Sequence, residues 1–286
     1  MTVVDLGGRT AVVTGAASGI GLALARRFAT DGARVVMADI EAPALQEAAE
    51  ELRAGGADVR AVVTDVADGD AVDRLAAEAD RSYGPVHVLC NNAGVGAGGP
   101  IAQLRSEDWS WVLGVNLWGV IHGLRAFLPA MLAHGQPGHI VNTASLAGHV
   151  SAPFMAPYSA SKFAVVAISE ALYHELRLAD AAVGVSVLCP GWVATNIHDS
   201  ARNRPGGRPP AEGAGGPGAG LPADALRQVL ADGMPPAEVA ALVADAVARG
   251  TFYVMTHPEM TPAVEARMTA IIDGGSPRPT MSTDHI

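Results

Sequence analysis

The chain has 286 residues, of which 49% are hydrophobic and 17% are charged, and it carries a formal net charge of -10. A chain of this length and apolar content can bury one large core, which excludes disorder for most of it. Because no cluster of lysine and arginine offsets the acidic excess, neither nucleic acid nor an anionic membrane surface is expected as a partner.

Short apolar stretches rich in β-branched residues alternate with longer alanine-rich segments along most of the chain. Strands are predicted at residues 10–14, 33–39, 58–65, 86–91, 138–145 and 183–190. Apolar residues with helical spacing predict helices at residues 19–30, 43–54, 68–82, 106–133 and 157–179. Strands and helices that alternate in this way predict an α/β fold, with a doubly wound parallel sheet and helices on both faces.

The pattern changes after residue 190. Residues 199–222 are rich in glycine and proline and nearly free of apolar side chains, which predicts a flexible substrate-loop insertion and not a domain boundary. A helix at residues 236–249 and a strand at residues 251–256 then resume the alternation. We therefore expect a single domain over residues 1–286, with a sheet of about seven strands.

The turn between the first strand and the first helix contains Gly15, Gly19 and Gly21. Glycine lets the backbone turn tightly there and approach a pyrophosphate, whose charge is met by free N–H groups at the helix start. The alternative is a glycine-rich turn that serves only the packing of the helix. The strand before the turn and the helix after it favour a nucleotide site.

Polar residues also follow the next three strands. Asp39 ends the second strand, where it could accept hydrogen bonds from both hydroxyls of an adenosine ribose or could cap the following helix. Asp65 ends the third strand, where a contact with adenine and a helix cap are both open. The segment "NNAG" at residues 91–94 follows the fourth strand and either forms a simple turn or lines the cofactor cleft.

The segment "YSASK" places Tyr158 and Lys162 four residues apart at the start of a predicted helix. This spacing puts both side chains on one helix face, where an ammonium group can lower the pKa of a phenol. The pair is then suited to acid/base chemistry at a hydroxyl or carbonyl group. The alternative is a core tyrosine beside a lysine whose stem covers apolar surface.

Six motifs resemble the short-chain dehydrogenase/reductase family and follow its order and spacing from about residue 5 to 260. They are "TGAASGIG" (14–21), "NNAG" (91–94), Asn116 in "GVNLWGV", Ser145 in "NTASLAG", "YSASK" (158–162) and "PGWVAT" (190–195). The long loop and the tail "GTFYVMTHPEM" are similar to bacterial dehydrogenases of the aryl Cα-alcohol type. The resemblance implies a single-domain Rossmann fold and a nicotinamide cofactor.

The resemblance also implies a role for each of four residues. Tyr158 is the general acid/base, Lys162 binds the nicotinamide ribose and lowers the tyrosine pKa, Ser145 holds the substrate oxygen and Asn116 supports a proton-relay water. The chemistry agrees, because a hydride that leaves a carbinol carbon must be accompanied by a proton that leaves its oxygen. Structural roles for all four are the alternative, although their joint presence favours catalysis.

The cofactor site implied by the resemblance runs through the loops that follow the strands. Its predicted members are Gly15, Ser18, Gly19, Ile20, Gly21, Asp39, Asp65, Val66, Asn92, Ala93, Gly94, Tyr158, Lys162, Pro190, Gly191, Val193 and Thr195. Thr195 is expected to bond the nicotinamide carboxamide, or else to begin a following helix. No metal is predicted.

NAD is the predicted cofactor because the 2′-phosphate of NADP would face the Asp39 carboxylate. The neighbouring positions that could hold a neutralising cation are Ala16, Ala17, Ser18 and Ile40, and none of them is basic. An NADP-linked reductase stays open as an alternative, as does a protein that senses the nucleotide without turnover. The complete acid/base set argues against the sensor.

The predicted substrate is a secondary alcohol or its ketone, fairly large and hydrophobic, since the expected pocket walls are apolar. Helices at 106–133 and 157–179 could pair across a twofold axis, which predicts a homo-oligomer, a tetramer or a dimer. Cys90 and Cys189 lie far apart in strand-like stretches, as expected of buried free thiols in a reducing compartment. Without a signal sequence or an uninterrupted run of roughly 18 apolar residues, the protein is expected to be cytoplasmic.

Overall fold

A computed structural model describes residues 4–207 and 223–277 of the chain. Seven parallel strands form one sheet in the order β3-β2-β1-β4-β5-β6-β7. The strands are Thr10–Thr14 (β1), Arg34–Asp39 (β2), Val59–Val63 (β3), Val86–Asn91 (β4), Gly138–Thr143 (β5), Val183–Cys189 (β6) and Tyr253–Met255 (β7). The predicted α/β fold with a doubly wound parallel sheet is confirmed.

Helices cover both faces of the sheet. Their bounds are Gly19–Thr30 (α1), Ala42–Ala54 (α2), Gly69–Tyr83 (α3), Ser106–Leu113 (α4), Gly119–His134 (α5), Ala156–Leu178 (α6), Ala223–Ala231 (α7), Pro236–Arg249 (α8) and Thr261–Ile272 (α9). Side chains of α1, α2 and α8 form one apolar core, and side chains of α3, α5 and α6 form another. Successive residues of a strand point to opposite faces, so Val13 joins the first core and Val12 joins the second.

The strand order reverses beside β1, which pairs with β2 on one side and with β4 on the other. The connections after β1 and β4 therefore diverge and leave a crevice at the carboxyl ends of these strands. Open α/β sheets bind ligands in this crevice. The fold thus brings the loops after β1, β2 and β4 to one edge of the sheet.

The helix predicted at residues 106–133 is interrupted. A π-helical turn, Gly114–Trp118, separates α4 from α5 and contains Asn116. π-Helical turns hold one extra residue and are frequent at functional sites. Apolar spacing averaged over the whole segment could not reveal one inserted residue, which is why a continuous helix was predicted.

Within the stretch Ser106–His134, the most apolar window of 18 residues has a mean hydropathy of 1.3, and the stretch is long and apolar enough to cross a membrane by length and composition alone. The sequence prediction missed it because polar residues interrupt the apolar run. Of the most apolar window, 33% is buried, and Phe127 and Met131 of α5 pack into the core between the sheet and its helices. This packing is that of a core helix.

The described part of the predicted flexible loop, residues 199–207, contains regular turns and buried side chains. Residues 199–207 lie in the 3-10 turns Ile197–Asn203 and Pro205–Gly207, and both Ser200 and Arg204 are buried. Residues 208–222, the rest of the predicted flexible loop, lie outside the described residues. The helices α7 and α9 were not predicted, and α9 is difficult to recognise because none of its residues is buried.

Candidate active site

A cavity of about 900 Å³ opens at the carboxyl ends of the strands. With the exception of Asn116, every residue predicted for the catalytic and cofactor sites lines it. This volume lies near the upper end of the range of roughly 300 to 1,000 Å³ that is typical of ligand pockets. The predicted residues therefore meet in one place, although they come from the loops after six strands and from helix α6.

The glycine turn after β1 brings the backbone close to its neighbours. A Cβ on Gly21 would lie 2.0 Å from the Gly15 carbonyl oxygen, and one on Gly15, whose φ is +67°, would lie 2.8 Å from the Ala93 Cα atom. Any side chain at these positions would push the loops apart. Ser18 holds the N-cap position of α1, but among the described residues its hydroxyl makes no capping bond. The N–H groups of the first turn suit a phosphate anion.

Asp39 ties the ends of two loops together at the next position along the cavity. One carboxylate oxygen accepts from the Ala17 N–H at 3.0 Å, and the other accepts from the Glu41 N–H at 3.0 Å. Each oxygen keeps a lone pair for a ribose hydroxyl. The alternative of a helix cap does not fit, because Glu41 holds the N-cap position of α2.

Asp65 also accepts a hydrogen bond from a backbone N–H group. Its carboxylate accepts from the Ala67 N–H at 2.9 Å, and the N-cap of α3 is Asp68, not Asp65. The alternative in which Asp65 caps the helix is therefore wrong. Asp65 and Val66 both line the cavity beside Asp39.

Thr14 and Asn92 join the ends of β1 and β4. The Thr14 hydroxyl accepts from the N–H groups of Asn92 and Ala93 at 2.9 and 3.0 Å, and the Asn92 amide donates to the Thr14 carbonyl at 3.0 Å. Thr143, at the end of β5, adds a weaker bond to the Asn92 side chain at 3.4 Å. Thr14 and Thr143 were missed from the sequence, where a strand-terminal threonine carries no distinctive signal.

Tyr158, Lys162 and Ser145 meet at the middle of the cavity. The Lys162 ammonium donates to the Thr143 carbonyl at 2.9 Å and lies 5.6 Å from the centroid of the Tyr158 ring. A hydrogen bond joins Ser145 to the Tyr158 hydroxyl. The Ser145 hydroxyl also accepts from the Ala147 N–H, which holds it at the end of β5. A phenol, a hydroxyl and an ammonium thus share one wall.

Burial moves both ionisable groups toward their neutral forms. It raises the pKa of Tyr158, and the hydrogen bond with Ser145 opposes this only in part. It lowers the pKa of Lys162 to about 8. The prediction that Lys162 leaves the tyrosine with a lowered pKa is therefore not met in this structure, because desolvation raises the pKa of the buried phenol more than the Ser145 hydrogen bond lowers it. At neutral pH the pair holds a protonated phenol.

Asn116 lies behind the cavity wall and is fully buried. Its side-chain oxygen accepts from the Val95 N–H at 2.8 Å, and its amide donates to the Val95 carbonyl at 2.9 Å and to the Ser161 hydroxyl at 3.2 Å. Ser161 in turn donates to the Tyr158 carbonyl. The side chain thus connects the loop after β4 to the helix that carries Tyr158. The role of Asn116 in a proton relay stays a prediction.

The loop after β6 closes the cavity from the other side. The Gly191 N–H donates to the Thr256 hydroxyl at 3.2 Å, while the Thr195 methyl group lies beside Gly19, where a Cβ would meet it at 3.2 Å. Thr195 does not begin the following turn, because Asn196 holds that N-cap position. Thr195 therefore sits between the glycine turn and the centre of the cavity.

The part of the cavity beyond Tyr158 is mostly apolar. Its lining includes Trp111, Val115, Leu146, Val150, Met155, Trp192, Ile197, Leu230 and Met260. These side chains come from five separate segments, so no single sequence motif could reveal the whole set. Such a lining suits a substrate with a substantial hydrocarbon or aromatic part.

Residues 196–205, which we call the strap, line the cavity and contact two loops and helix α4. The Ser200 hydroxyl accepts from the Gly96 N–H at 3.0 Å. Arg202 pairs with Glu41, and Arg204 pairs with Asp108. Both arginines line the cavity and were missed from the sequence, because their partners lie 161 and 96 residues away.

Comparisons with known proteins agree with this site. A family model described as short chain dehydrogenase matches residues 9–206. A 1-deoxy-11-beta-hydroxypentalenate dehydrogenase of Streptomyces exfoliatus is 48% identical over 189 residues, which are 65% of this chain and 68% of the relative. A C alpha-dehydrogenase of a Sphingobium species is 34% identical over 275 residues, 96% of this chain and 88% of the relative.

A solved structure shares the whole architecture. It is a short chain dehydrogenase/reductase from Burkholderia phymatum in complex with NAD, with 43% identity and a TM-score of 0.93. The match covers 98% of this chain and 99% of that one.

Proposed function

The chain belongs to the short chain dehydrogenase family, and from this membership and its site we propose that it transfers a hydride between NAD and a secondary alcohol or its ketone. The observation that carries the proposal is the wall formed by Tyr158, Ser145 and Lys162. These three side chains line the same cavity as the glycine turn and the apolar side chains named above. The Tyr158 hydroxyl can therefore donate or accept a proton at the oxygen of a substrate bound beside the nicotinamide.

NAD, when bound, supplies the hydride acceptor for alcohol oxidation. Tyr158 takes the proton from the substrate hydroxyl in that direction and returns it to the carbonyl oxygen in the other. Ser145 donates a hydrogen bond to the same oxygen and keeps it beside the phenol. Lys162, held by the Thr143 carbonyl, keeps a positive charge near the developing phenolate and stabilises it.

The choice of NAD over NADP is supported by Asp39. Its carboxylate is held on the cavity wall by two backbone N–H groups and keeps lone pairs for ribose hydroxyls. A 2′-phosphate would bring a dianion against the same oxygens. The NAD complex of the related Burkholderia phymatum enzyme supports the same choice.

The substrate is a secondary alcohol with a large apolar body. Support comes from the apolar side chains that line the cavity and from two relatives, a C alpha-dehydrogenase and a 1-deoxy-11-beta-hydroxypentalenate dehydrogenase. A small aliphatic alcohol would leave much of this lining in contact with water. Each buried CH₂ group contributes about 0.8 kcal/mol, so affinity should rise with substrate size.

The enzyme acts as a homo-oligomer in the cytoplasm. Trp118 and Leu132, in and after the π-helical turn, are 52% and 44% exposed, and Leu178 at the end of α6 is 89% exposed. Burial of these side chains between subunits would remove apolar surface from water. The buried free thiols of Cys90 and Cys189 suit a reducing compartment.

A panel of secondary alcohols tests the proposed reaction. The purified protein should reduce NAD with bulky aryl or polycyclic alcohols and should do so at least about tenfold more efficiently than with 2-propanol. With the best alcohol, kcat/KM for NAD should exceed that for NADP by about a hundredfold, from lost hydrogen bonds and charge repulsion. Absorbance at the wavelength of reduced nicotinamide measures both.

Three results would argue against the proposal. Binding of NAD without turnover across the panel would indicate a nucleotide sensor. Equal use of both cofactors would remove Asp39 as the selecting residue. A preference for 2-propanol over bulky alcohols would contradict the assigned substrate class.

The pH dependence should differ between the two directions. The pKa of Tyr158 is raised by burial, so the phenolate needed for alcohol oxidation becomes more abundant as pH rises, and oxidation should accelerate several-fold per unit from about pH 6 to 8. Reduction needs the protonated phenol and should stay constant up to about pH 7. It should decline above the Lys162 pKa of about 8, where the ammonium loses its charge.

Initial rates in both directions, at constant ionic strength, provide the measurement. Initial rates are required because the overall equilibrium also releases a proton. An oxidation rate that falls between about pH 6 and 8 in the folded protein would contradict Tyr158 as the base.

A further inference from the structure

An arginine reaches the adenosine end of the cavity from a distant part of the chain. Arg202 of the strap lies against Glu41, two residues after Asp39, and all three line the cavity. Its guanidinium Nη2 and Nε atoms donate to Glu41 Oε1 at 2.7 and 3.1 Å. A cation of this kind beside the ribose carboxylate is what a 2′-phosphate would need.

The N–H groups of Arg202 are nearly all in use. Besides the two donors that face Glu41, its Nη1 atom donates to the carbonyl oxygens of Asn196 and Asp199 at 3.3 and 2.9 Å. A guanidinium has five N–H donors, so at most one stays available for another acceptor. Asn203 adds a further bond to Glu41 Oε1 at 2.8 Å. Glu41 is thus held by two side chains of the strap.

The charges of Arg202 and Glu41 also compensate each other. The hydrogen bond from Arg202 lowers the pKa of Glu41, so the carboxylate is ionised at neutral pH and the pair is neutral as a whole. The side chains are 32% and 27% exposed, so water screens the pair only in part. A phosphate beside this pair would meet Asp39 without an unpaired cation to offset it.

We propose that Glu41 is a specificity-determining residue, because it holds Arg202 in a neutral pair and so keeps this arginine from binding the 2′-phosphate of NADP. The inference rests on the proposed NAD function and extends it. Cofactor choice then depends on Asp39 and also on the contact between the strap and the loop after β2. Removal of the Glu41 charge would leave Arg202 able to pair with phosphate.

A double-mutant cycle tests the proposal through binding alone. Dissociation constants for NAD and NADP are measured by calorimetry for the parent, Glu41→Gln, Arg202→Gln and the double variant. Glu41→Gln should bind NADP about tenfold more tightly, with NAD affinity within about threefold of the parent. In the Arg202→Gln background, the same change should improve NADP binding by no more than about twofold.

Glu47→Gln is the matched control. Glu47 is exposed on α2, so the variant removes the same charge from the same helix without touching Arg202, and it should leave both dissociation constants unchanged. Melting temperatures confirm that each variant is folded.

The outcomes separate this inference from the proposed function. No gain in NADP affinity on Glu41→Gln, or an equal gain with and without Arg202, would overturn the role of the pair while leaving an NAD enzyme. A parent that binds neither nucleotide, or binds both equally, would overturn the proposed function and this inference together.

Discussion

Replacement of Tyr158 by phenylalanine is expected to lower kcat by about a hundredfold or more. The variant keeps the ring volume and removes the oxygen that transfers the proton, so the affinity for NAD should stay within about twofold of the parent. Tyr158 is buried and forms a hydrogen bond with Ser145. Among the residues that the structure describes, no other tyrosine lines the cavity, so no second phenol can replace it. Steady-state kinetics and calorimetry provide the two readouts.

Tyr83→Phe is the control for this prediction. Tyr83 ends α3, away from the cavity, and its hydroxyl bonds to Asp58 at 2.6 Å. Loss of that hydroxyl should leave kcat within about twofold of the parent. A Tyr158→Phe variant that is folded and retains near-parental turnover would remove Tyr158 from the mechanism.

Replacement of Asp108 by asparagine is expected to lower the free energy of unfolding by about 3 kcal/mol. Asp108 and Arg204 form an ion pair whose side chains are only 1% and 4% exposed, and the Arg204 guanidinium also lies 5.2 Å from the Trp111 ring. The variant leaves a buried cation without its partner. We expect the lower end of the range for broken buried pairs, because the strap can release Arg204 to water.

A second variant distinguishes an unpaired charge from a packing defect. Asp108→Asn combined with Arg204→Met should recover much of the lost stability, since an apolar side chain of similar length replaces the uncompensated cation. Asp224→Asn, which breaks the exposed pair with Arg227, should cost less than about 1 kcal/mol. Urea unfolding gives all the values. Unchanged stability of Asp108→Asn would mean that the buried pair contributes little.

The sheet could be predicted because its signal is local. Continuous apolar strands such as β1, followed by long amphipathic helices, indicate parallel strands with both faces covered, whatever lies elsewhere in the chain. The glycine turn was equally readable, since Gly15 and Gly21 are required by contacts close in sequence or at the neighbouring strand. The six motifs, taken together, then indicated the family.

Features that depend on distant contacts could not be predicted. Arg202 and Arg204 lie in a glycine- and proline-rich segment that predicts a solvated loop, yet they pair with carboxylates at the start of α2 and in α4. The π-helical turn at Asn116 was hidden by one extra residue in an otherwise regular helix. The pKa of Tyr158 depends on burial by several segments, which spacing between two residues cannot report.

The proposed role of the strap in cofactor choice depends on such a distant contact. From the sequence, Asp39 alone selected NAD, because no basic residue stood near it in the chain. In the fold, Arg202 lies beside Glu41. Cofactor choice then also depends on whether Arg202 is free to bind the 2′-phosphate of NADP. If Glu41 restrains Arg202 as proposed, changes in the strap should alter cofactor selectivity without any change at Asp39.

The central claim is that Tyr158 supports hydride transfer from a carbinol carbon to NAD, and isotope transfer in a single turnover tests it most directly. The protein and NAD are mixed with a secondary aryl alcohol that carries deuterium at the carbinol carbon, and the products are analysed by mass spectrometry. We expect a ketone without the label and an equal amount of reduced nicotinamide with one deuterium, formed about a hundredfold more slowly by Tyr158→Phe. Ketone formation without label on the nicotinamide, or equal rates in both proteins, would contradict the claim.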